Sequence, residues 1–236
     1  MKAAVYTGTK NLYPEMVAAV KSILINSDVD KVYLLIEDDE FPYYLPECVE
    51  TRNVKDQQYF KKGTPNMSTP YSYMALMRAA LAFEFPELDT ILSLDVDTIV
   101  DKDISDIWDI PLGDQYYFAA CHETHRTRND GIMYTNAGVT LFNLKKLRDG
   151  KAQEVIDVLN TKKFRYVDQD VFNYLCQGRI YDLPSDYNDN DWTVRPNKMK
   201  IKHYAGVQKW QHMYYVEKYR VIPWSAVEKK RRKSEM

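Results

Sequence analysis

The sequence predicts an α/β sandwich built on a mixed, mostly parallel sheet. Short apolar runs that fit buried strands alternate along the chain with amphipathic segments that fit helices. The first three elements come in the order strand, helix, strand, which favours parallel pairing with a right-handed crossover. No repeat and no low-complexity linker interrupts the 236 residues. A chain of this length can therefore bury one sizeable core.

Each predicted element has a local reason. Pro14 suits the first turn of a helix, and apolar residues then recur on one helical face from Met16 to Leu24. The run Val32–Ile36 is continuously apolar, as expected for a strand buried on both faces. In chain order we predict strands at 2–7, 31–36, 49–54 (weak) and 90–94, a helix from 14 and one at 72–85, a short helix or turn at 104–110, strands at 116–121 and 139–143, and helices at 151–160 and 169–175.

Composition restricts the kind of function. The formal net charge of -2 provides no overall basic field, so we expect no nucleic-acid partner. The three cysteines form no CxxC spacing, which favours a reducing compartment over a disulfide framework. Neither a signal-like apolar start nor a membrane-spanning run is evident. We therefore expect a soluble, cytoplasmic protein; the sequence predicts no oligomeric state.

A pair of acids marks the candidate site. Asp95 and Asp97 follow the buried strand 90–94, at the strand end where α/β proteins usually bind ligands. Two carboxylates this close are costly to ionise together unless a cation sits between them. Oxygen ligands favour Mg²⁺ or Mn²⁺, and such an ion could stabilise a departing diphosphate. The Asp-x-Asp pattern alone is common, and one Asp could simply cap the next turn.

The same segment also permits a second enzymatic interpretation. An apolar strand followed by Asp-Val-Asp-Thr resembles the first motif of haloacid-dehalogenase-type phosphatases, in which Asp95 would be the nucleophile. That superfamily usually carries the motif near the start of the chain. Here the motif follows a complete strand–helix–strand unit, and no apolar run ending in Gly-Asp comes after it. A Mg²⁺-dependent phosphatase is therefore the alternative hypothesis.

Four downstream motifs favour the first interpretation. After Asp95-Val96-Asp97 the chain carries, in order, Asn136-Ala137-Gly138, Asp168-Gln169-Asp170, Leu183-Pro184-Ser185-Asp186-Tyr187-Asn188, and His203-Tyr204-Ala205-Gly206 followed by Lys209 and Trp210. This order resembles glycosyltransferase family 8, which includes glycogenin and bacterial lipooligosaccharide galactosyltransferases. The resemblance runs from about Val5 to Trp210. It implies a nucleotide-sugar-binding α/β/α sandwich of the GT-A type.

The resemblance also implies a metal and a donor site. Asp95, Asp97 and His203 would bind Mn²⁺, or Mg²⁺ in its place, and the donor substrate would be a UDP-sugar. Around them, the residues implied to contact the donor are Thr7, Thr9, Tyr13, Arg78, Asp95, Val96, Asp97, Asn136, Ala137, Gly138, Asp168, Gln169, His203, Gly206 and Lys209. Tyr13 would stack on uracil, although it could instead support the helix that begins at Pro14.

The implied reaction is a retaining hexosyl transfer. Asp168, Gln169 and Lys209 are the implied catalytic residues, with Asp168 orienting the donor sugar and Lys209 neutralising phosphate charge. Gly206 would let the backbone approach the diphosphate, and the guanidinium of Arg78 would bind phosphate or sugar hydroxyls. Glucose or galactose would pass to a glycan, glycolipid or protein acceptor. Donor departure would be assisted by metal and lysine, with acceptor attack on the same face.

Residues 1–220 are predicted to form a single glycosyltransferase domain and residues 221–236 a basic C-terminal tail. The tail combines Trp224 with the basic run 229–233, so it could contact an anionic membrane surface at the inner side, or remain a solvated terminus. The acceptor site is less defined. His122, Glu123, His125 and Arg126 form a polar loop after a strand, which could contact an acceptor or belong to the surface.

Overall fold

The computed structural model describes residues 1–67, 73–123, 133–190 and 199–234. Its strands are β1 (Ala3–Thr7), β2 (Lys31–Ile36), β3 (Val49–Asn53), β4 (Thr90–Leu94), β5 (Thr98–Val100), β6 (Phe118–His122), β7 (Thr135–Asn143), β8 (Ile180–Leu183) and β9 (Ile201–His203). Its α-helices are α1 (Tyr13–Asn26), α2 (Leu81–Glu84), α3 (Leu144–Leu147), α4 (Lys151–Thr161), α5 (Val167–Leu175), α6 (Tyr214–Arg220) and α7 (Trp224–Ser234). The predicted turn at 104–110 contains a 3₁₀ helix, Ser105–Asp109.

Seven strands form one sheet in the order β3-β2-β1-β4-β7-β6-β8. All of them run parallel except β7, which is antiparallel to both of its neighbours, β4 and β6. The predicted mixed, mostly parallel sheet is therefore confirmed. Since β7 runs the opposite way, its first residues lie at the edge where β4 ends. The start of β7 and the segment after β4 are brought together at that edge.

The core lies on both faces of this sheet, because alternate residues of a strand point to opposite sides. Ala3 and Val5 of β1 join a buried cluster with α4, α5 and the segment before α2. Ala4 and Tyr6 of the same strand join a second buried cluster with α1. The result is a three-layer α/β/α sandwich, and removing its apolar surface from water is the main favourable contribution to its stability.

The helix predicted at 72–85 differs from the structure. A 3₁₀ helix occupies Tyr73–Ala80 and changes to α-helix only at Leu81, while Ser72 lies outside the described residues. Side chains three apart eclipse one another in a 3₁₀ helix. Ala75 and Arg78 consequently share the side that faces the large cavity described below. Met74 borders the same cavity.

The predicted tail at 221–236 contains the helix α7, and many of its side chains are exposed. In α7, Val227 is fully buried in the core and Trp224 is partly buried against it. The Lys21 ammonium of α1 lies 5.3 Å from the centre of the Trp224 ring. Trp224, which suggested membrane contact, thus packs against α1, whereas Val221 is exposed. Among the described residues, no helix is long and apolar enough to cross a membrane.

Candidate active site

A cavity of about 720 Å³ opens at the edge of the sheet where β1 and β4 end. This volume is in the range of sites for small molecules and cofactors. Its wall is polar on one side and contains most of the residues predicted to form a site. The lining residues that the sequence singled out are Thr7, Thr9, Arg78, Asp95, Val96, Asp97, Asn136, Asp168, Gln169, His203 and Gly206.

The carboxylates of Asp95 and Asp97 are held by a tight turn between β4 and β5. The backbone N–H of Thr98 donates to the Asp95 carbonyl at 3.0 Å, and the Thr98 hydroxyl donates to the same oxygen at 2.6 Å. The N–H of Asp95 donates to the Gly138 carbonyl at 2.8 Å, which ties the turn to β7. Two acids separated by one residue therefore both border the cavity.

His203 completes this group through the small sheet formed by β5 and β9. Thr98 pairs with His203 in that sheet, and the Tyr204 N–H donates to the Asp97 carbonyl at 3.0 Å. The His203 Nε2 atom consequently lies 3.3 Å from Asp97 Oδ1 and 3.8 Å from Asp95 Oδ2. Residues more than a hundred positions apart in the sequence thus meet because two three-residue strands pair.

These three side chains fit a divalent cation. One ligand atom from each lies within 4.8 Å of the others. Two neighbouring ligands of a Mg²⁺-sized ion, each about 2.1 Å from it, are about 3 Å apart. Burial lowers the pKa of His203, but the carboxylates of Asp97 and Asp95 raise it by more, so its pKa lies above the usual value. The cluster therefore attracts positive charge, as a metal site requires.

Gly138 has a different position from the one predicted. It lies under the His203 ring rather than in the cavity wall, and an added Cβ would be 2.1 Å from His203 Cε1. Real Cβ atoms essentially never come that close to another heavy atom. A glycine is required at position 138 because the imidazole occupies the space of a side chain.

Arg78 joins Asp95 to Asp168. Its Nη1 donates to Asp95 Oδ1 at 2.6 Å and to the Ala137 carbonyl at 3.0 Å. Its Nη2 donates to Asp168 Oδ1 at 3.2 Å, and its Nε is 2.6 Å from Asp168 Oδ2. The sequence predicted that this guanidinium would bind the donor. In the structure it is mainly occupied by two carboxylates and one carbonyl.

Asp168 lies in the first turn of α5 and is fully buried. Burial raises its pKa, and the adjacent guanidinium of Arg78 opposes that shift. An isolated buried carboxylate would be strongly unfavourable, so the ion pair with Arg78 is what makes the charged form tolerable there. The preceding residue, Val167, has a φ of 32°, an unusual backbone for a β-branched residue.

Gln169 is held beside Asp168 by hydrogen bonds at both ends of its amide. Its Oε1 accepts from the Ala137 N–H at 3.0 Å, and its Nε2 donates to the Tyr134 hydroxyl at 3.1 Å. Asn136 reaches the cavity, whereas Ala137 lies behind the wall and is fixed from both sides by Arg78 and Gln169. The Asn-Ala-Gly motif forms part of β7 itself, so the strand starts earlier than the predicted residue 139.

Of the three residues near β1 that were predicted to contact the donor, two border the cavity. Thr7 and Thr9 line the wall, and the Thr9 hydroxyl donates to Asn11 Oδ1 at 2.5 Å. Tyr13 lies in the core instead, where it is 1% exposed. Its hydroxyl donates to Asp38 and accepts from the Glu37 N–H. This placement agrees with the alternative role, in which Tyr13 supports the start of α1.

Gly206 and Lys209 lie on the loop after β9. Gly206 borders the cavity with a φ of 71°, a backbone that a side chain would strain. Lys209 is exposed, lies outside the cavity wall, and adopts a φ of 55°. Their role in binding phosphate stays a prediction.

The cavity wall also contains Glu123, which the sequence placed in a polar loop that could contact an acceptor, and Asn190, to which the sequence assigned no role. The Asn190 Nδ2 group donates to Glu123 Oε1 at 3.1 Å. Asn188, in the Leu-Pro-x-x-Tyr-Asn motif, contacts the metal-site histidine. Of the predicted polar loop, His122 is exposed and His125 and Arg126 lie outside the described residues. The polar loop after a strand was the sequence signal for Glu123, but its hydrogen bonds to Asn136 and Asn190, which are distant in sequence, were not predicted.

Comparisons with known proteins agree on one family and one fold. The family described as "Glycosyl transferase family 8" matches residues 4–212. The glycosyltransferase GlyE of Streptococcus pneumoniae is 26% identical over 200 residues, covering 79% of this chain and 47% of the relative. A lipopolysaccharide 1,2-glucosyltransferase of Escherichia coli is 30% identical over 128 residues, covering 49% of this chain and 36% of the relative. The chain spans between about a quarter and just over half of the length of the curated relatives it matches.

Solved structures show the same architecture. The crystal structure of GlyE from Streptococcus pneumoniae superposes with a TM-score of 0.73 at 21% identity, covering 99% of this chain and 64% of that one. The galactosyltransferase LgtC, solved with donor and acceptor sugar analogues, gives 0.69 at 18% identity, covering 95% and 99%. The predicted GT-A type sandwich is thereby confirmed. These comparisons give the phosphatase alternative no support.

Proposed function

The chain belongs to glycosyl transferase family 8, and from this premise we propose that it is a retaining glycosyltransferase. Its donor is a UDP-sugar carrying a hexose, glucose or galactose, and its acceptor is a glycan, a glycolipid or a protein. The observation that carries the proposal is the convergence of Asp95, Asp97 and His203 at one cavity with the Arg78–Asp168 ion pair.

Sheet order supports an orientation for the donor. Neighbouring strands β1, β4 and β7 present to the cavity, in turn, the threonines, Asp95 and Asp97, and Asn136 of the Asn-Ala-Gly motif. A nucleoside above β1, a diphosphate above β4 and a sugar above β7 would follow this order. The cavity volume of about 720 Å³ is in the range that accommodates an extended ligand of this size.

Asp95, Asp97 and His203 would hold Mn²⁺ or Mg²⁺. When bound, such an ion supplies positive charge that stabilises the diphosphate as a leaving group. On the protein side, Lys209 follows Gly206 by three residues in the segment after β9, and its ammonium would add positive charge near the phosphates. Gly206 offers a close approach of backbone to the same group. These contributions stabilise charge that develops as the bond to the sugar breaks.

The sugar end of the cavity is arranged for orientation rather than nucleophilic attack. The Gln169 amide is neutral and already hydrogen-bonded at both ends. Asp168 is engaged by Arg78, so its remaining acceptor capacity would go to sugar hydroxyls. We therefore favour attack by the acceptor hydroxyl on the face from which the diphosphate departs. The sugar–phosphate bond breaks with its electron pair on the phosphate oxygen, which also receives the acceptor's proton.

The test is UDP release from a panel of UDP-sugars with Mn²⁺. We expect one hexose donor to be consumed, and we expect Asp97→Ala or a chelator to abolish the reaction. Asp182→Ala, a change of the same kind at an exposed position on β8, should leave the rate unchanged. If no nucleotide-sugar is consumed or bound while a simple phosphate ester is hydrolysed, the phosphatase alternative replaces this proposal.

A further inference from the structure

A chain of buried polar side chains lies behind His203, on the side away from the metal-site acids. It consists of Glu123, Asn136 and Asn188, each of which is less than a tenth exposed. Asn136 Nδ2 is 2.8 Å from Glu123 Oε2, Asn188 Nδ2 is 2.9 Å from Asn136 Oδ1, and Asn188 Oδ1 is 2.8 Å from His203 Nδ1. We call these three residues the relay.

Hydrogen bonds at both ends of the Asn136 side-chain amide determine its orientation. The Gly138 backbone N–H, which can only donate, points at Asn136 Oδ1 from 2.9 Å. The opposite end of the Asn136 amide faces Glu123, whose two oxygens accept from Asn136 and from Asn190. An ionised carboxylate can only accept. The Asn136 amide therefore cannot be turned round without losing both bonds.

The orientation of the Asn188 side-chain amide follows from that of Asn136. Because Asn136 Oδ1 is an acceptor, Asn188 must present its Nδ2 group to it, and its Oδ1 must face the imidazole. A carbonyl oxygen at 2.8 Å requires a proton on His203 Nδ1. In the neutral ring the proton is then absent from Nε2, the atom that faces Asp97 and Asp95.

We propose that Glu123, Asn136 and Asn188 are positioning residues that hold His203 as the Nδ1–H tautomer, with the Nε2 lone pair directed between Asp95 and Asp97. A second hydrogen-bonding partner commonly fixes the tautomer and orientation of a metal-binding histidine. In this relay, the Gly138 backbone N–H and the buried Glu123 carboxylate together determine the orientation of the Asn136 and Asn188 amides. The use of the lone pair by a metal rests on the proposed function, whereas the tautomer belongs to the metal-free chain.

The first measurement is ¹⁵N NMR of the histidine rings in the full, metal-free chain, at a pH high enough for the ring to be neutral. The sequence has four histidines, and a His203→Gln variant identifies the signals of interest. We expect the native ring to be protonated at Nδ1. In Asn188→Leu we expect that preference to be lost, because no oxygen then faces Nδ1. Asn188→Asp keeps an acceptor at Nδ1 and should keep the Nδ1–H form, although its second oxygen then meets Asn136 Oδ1 without a hydrogen bond. If the leucine variant does not fold, the native ring still decides, because protonation at Nε2 would contradict the proposal.

The second measurement is Mn²⁺ affinity, from the paramagnetic resonance signal of free Mn²⁺. Loss of such a supporting partner typically lowers metal affinity about 10- to 100-fold, and we expect this for Asn188→Leu and Asn136→Leu. The matched control is Asn143→Leu, which removes an equally buried asparagine that bonds the Gly113 and Tyr116 carbonyls elsewhere. In this control variant, the His203 tautomer and the Mn²⁺ affinity should equal those of the native chain.

A native ring protonated at Nε2 would overturn the inference. So would an Asn188→Leu variant that matches Asn143→Leu in both tautomer and Mn²⁺ affinity. A native chain that shows the Nδ1–H ring, responds to Asn188→Leu by losing it, and yet binds no Mn²⁺ would support the relay and refute the metal-dependent function instead. The two proposals therefore fail in different ways.

Discussion

Replacing Gly138 by alanine is the sharpest test of how the metal site is built. The added Cβ would lie 2.1 Å from His203 Cε1, 2.7 Å from Nδ1 and 2.8 Å from Nε2. Ordinary van der Waals contact begins at about 3.4 Å, so the ring must retreat by about 1.3 Å. It cannot do so freely, because Asn188 holds Nδ1 and the pairing of β5 with β9 fixes the backbone.

Two effects should follow from Gly138→Ala. Overpacking of this kind typically costs about 1–3 kcal/mol of stability, and in a chain of this size each kcal/mol lowers Tm by about 2–4 °C. Displacement of Nε2 from Asp95 and Asp97 should weaken Mn²⁺ binding about 10-fold or more, as for other changes in the support of a metal ligand. Calorimetric unfolding and Mn²⁺ titration measure the two effects separately.

The control is Gly150→Ala. Gly150 has a φ of 100° and nothing within 4 Å of an added Cβ, so the substitution strains the backbone without touching the site. We expect lower stability with unchanged Mn²⁺ affinity. If Gly138→Ala loses no more Mn²⁺ affinity than Gly150→Ala, the reasoning that His203 is a close-packed metal ligand is wrong.

Three further predictions concern the charges of the site. Arg78→Met should lower the free energy of unfolding by about 3–5 kcal/mol, because it leaves Asp168 buried without its partner; a loss below about 1 kcal/mol in urea unfolding would contradict this. Lys209→Ala should leave Tm unchanged, since the side chain is exposed, but should weaken UDP-sugar binding in a calorimetric titration; equal Kd values would exclude the lysine from the donor site. Mn²⁺ at about a hundred times its Kd should stabilise the chain by about 2.7 kcal/mol and raise Tm, and a chelator should reverse the rise; a Tm insensitive to both would argue against a metal in the folded state.

Sequence patterns located the site more reliably than they described it. The residues after β4 and the histidine of β9 were identified from motifs, and the structure places them within reach of one cation. The prediction that Arg78 binds the donor was incomplete, because its guanidinium forms ion pairs with two carboxylates from different parts of the fold. No local pattern reports such a pairing, because Asp95 and Asp168 lie 17 and 90 positions away from Arg78.

Gly138 is a second residue whose role could not be read from its motif. The motif that contains it was expected to line the donor pocket, but the glycine is needed to make room for His203. Tyr13 likewise lies in the core, where Asp38 and the Glu37 backbone satisfy its hydroxyl. A sequence shows that a small or aromatic residue is present, whereas its purpose depends on which atoms occupy the neighbouring space.

The sequence by itself determined the alternation of strands and helices, the mixed sheet, the family and the acids at the end of β4, because these follow from periodicity and from motifs of consecutive residues. Only the tertiary structure decided how those acids meet the rest of the site. The reversed direction of β7 brings Gly138 beside Asp95, and the pairing of β5 with β9 brings His203 beside Asp97. Both contacts depend on hydrogen-bond register between strands distant in sequence, which hydrophobic periodicity along one segment does not encode.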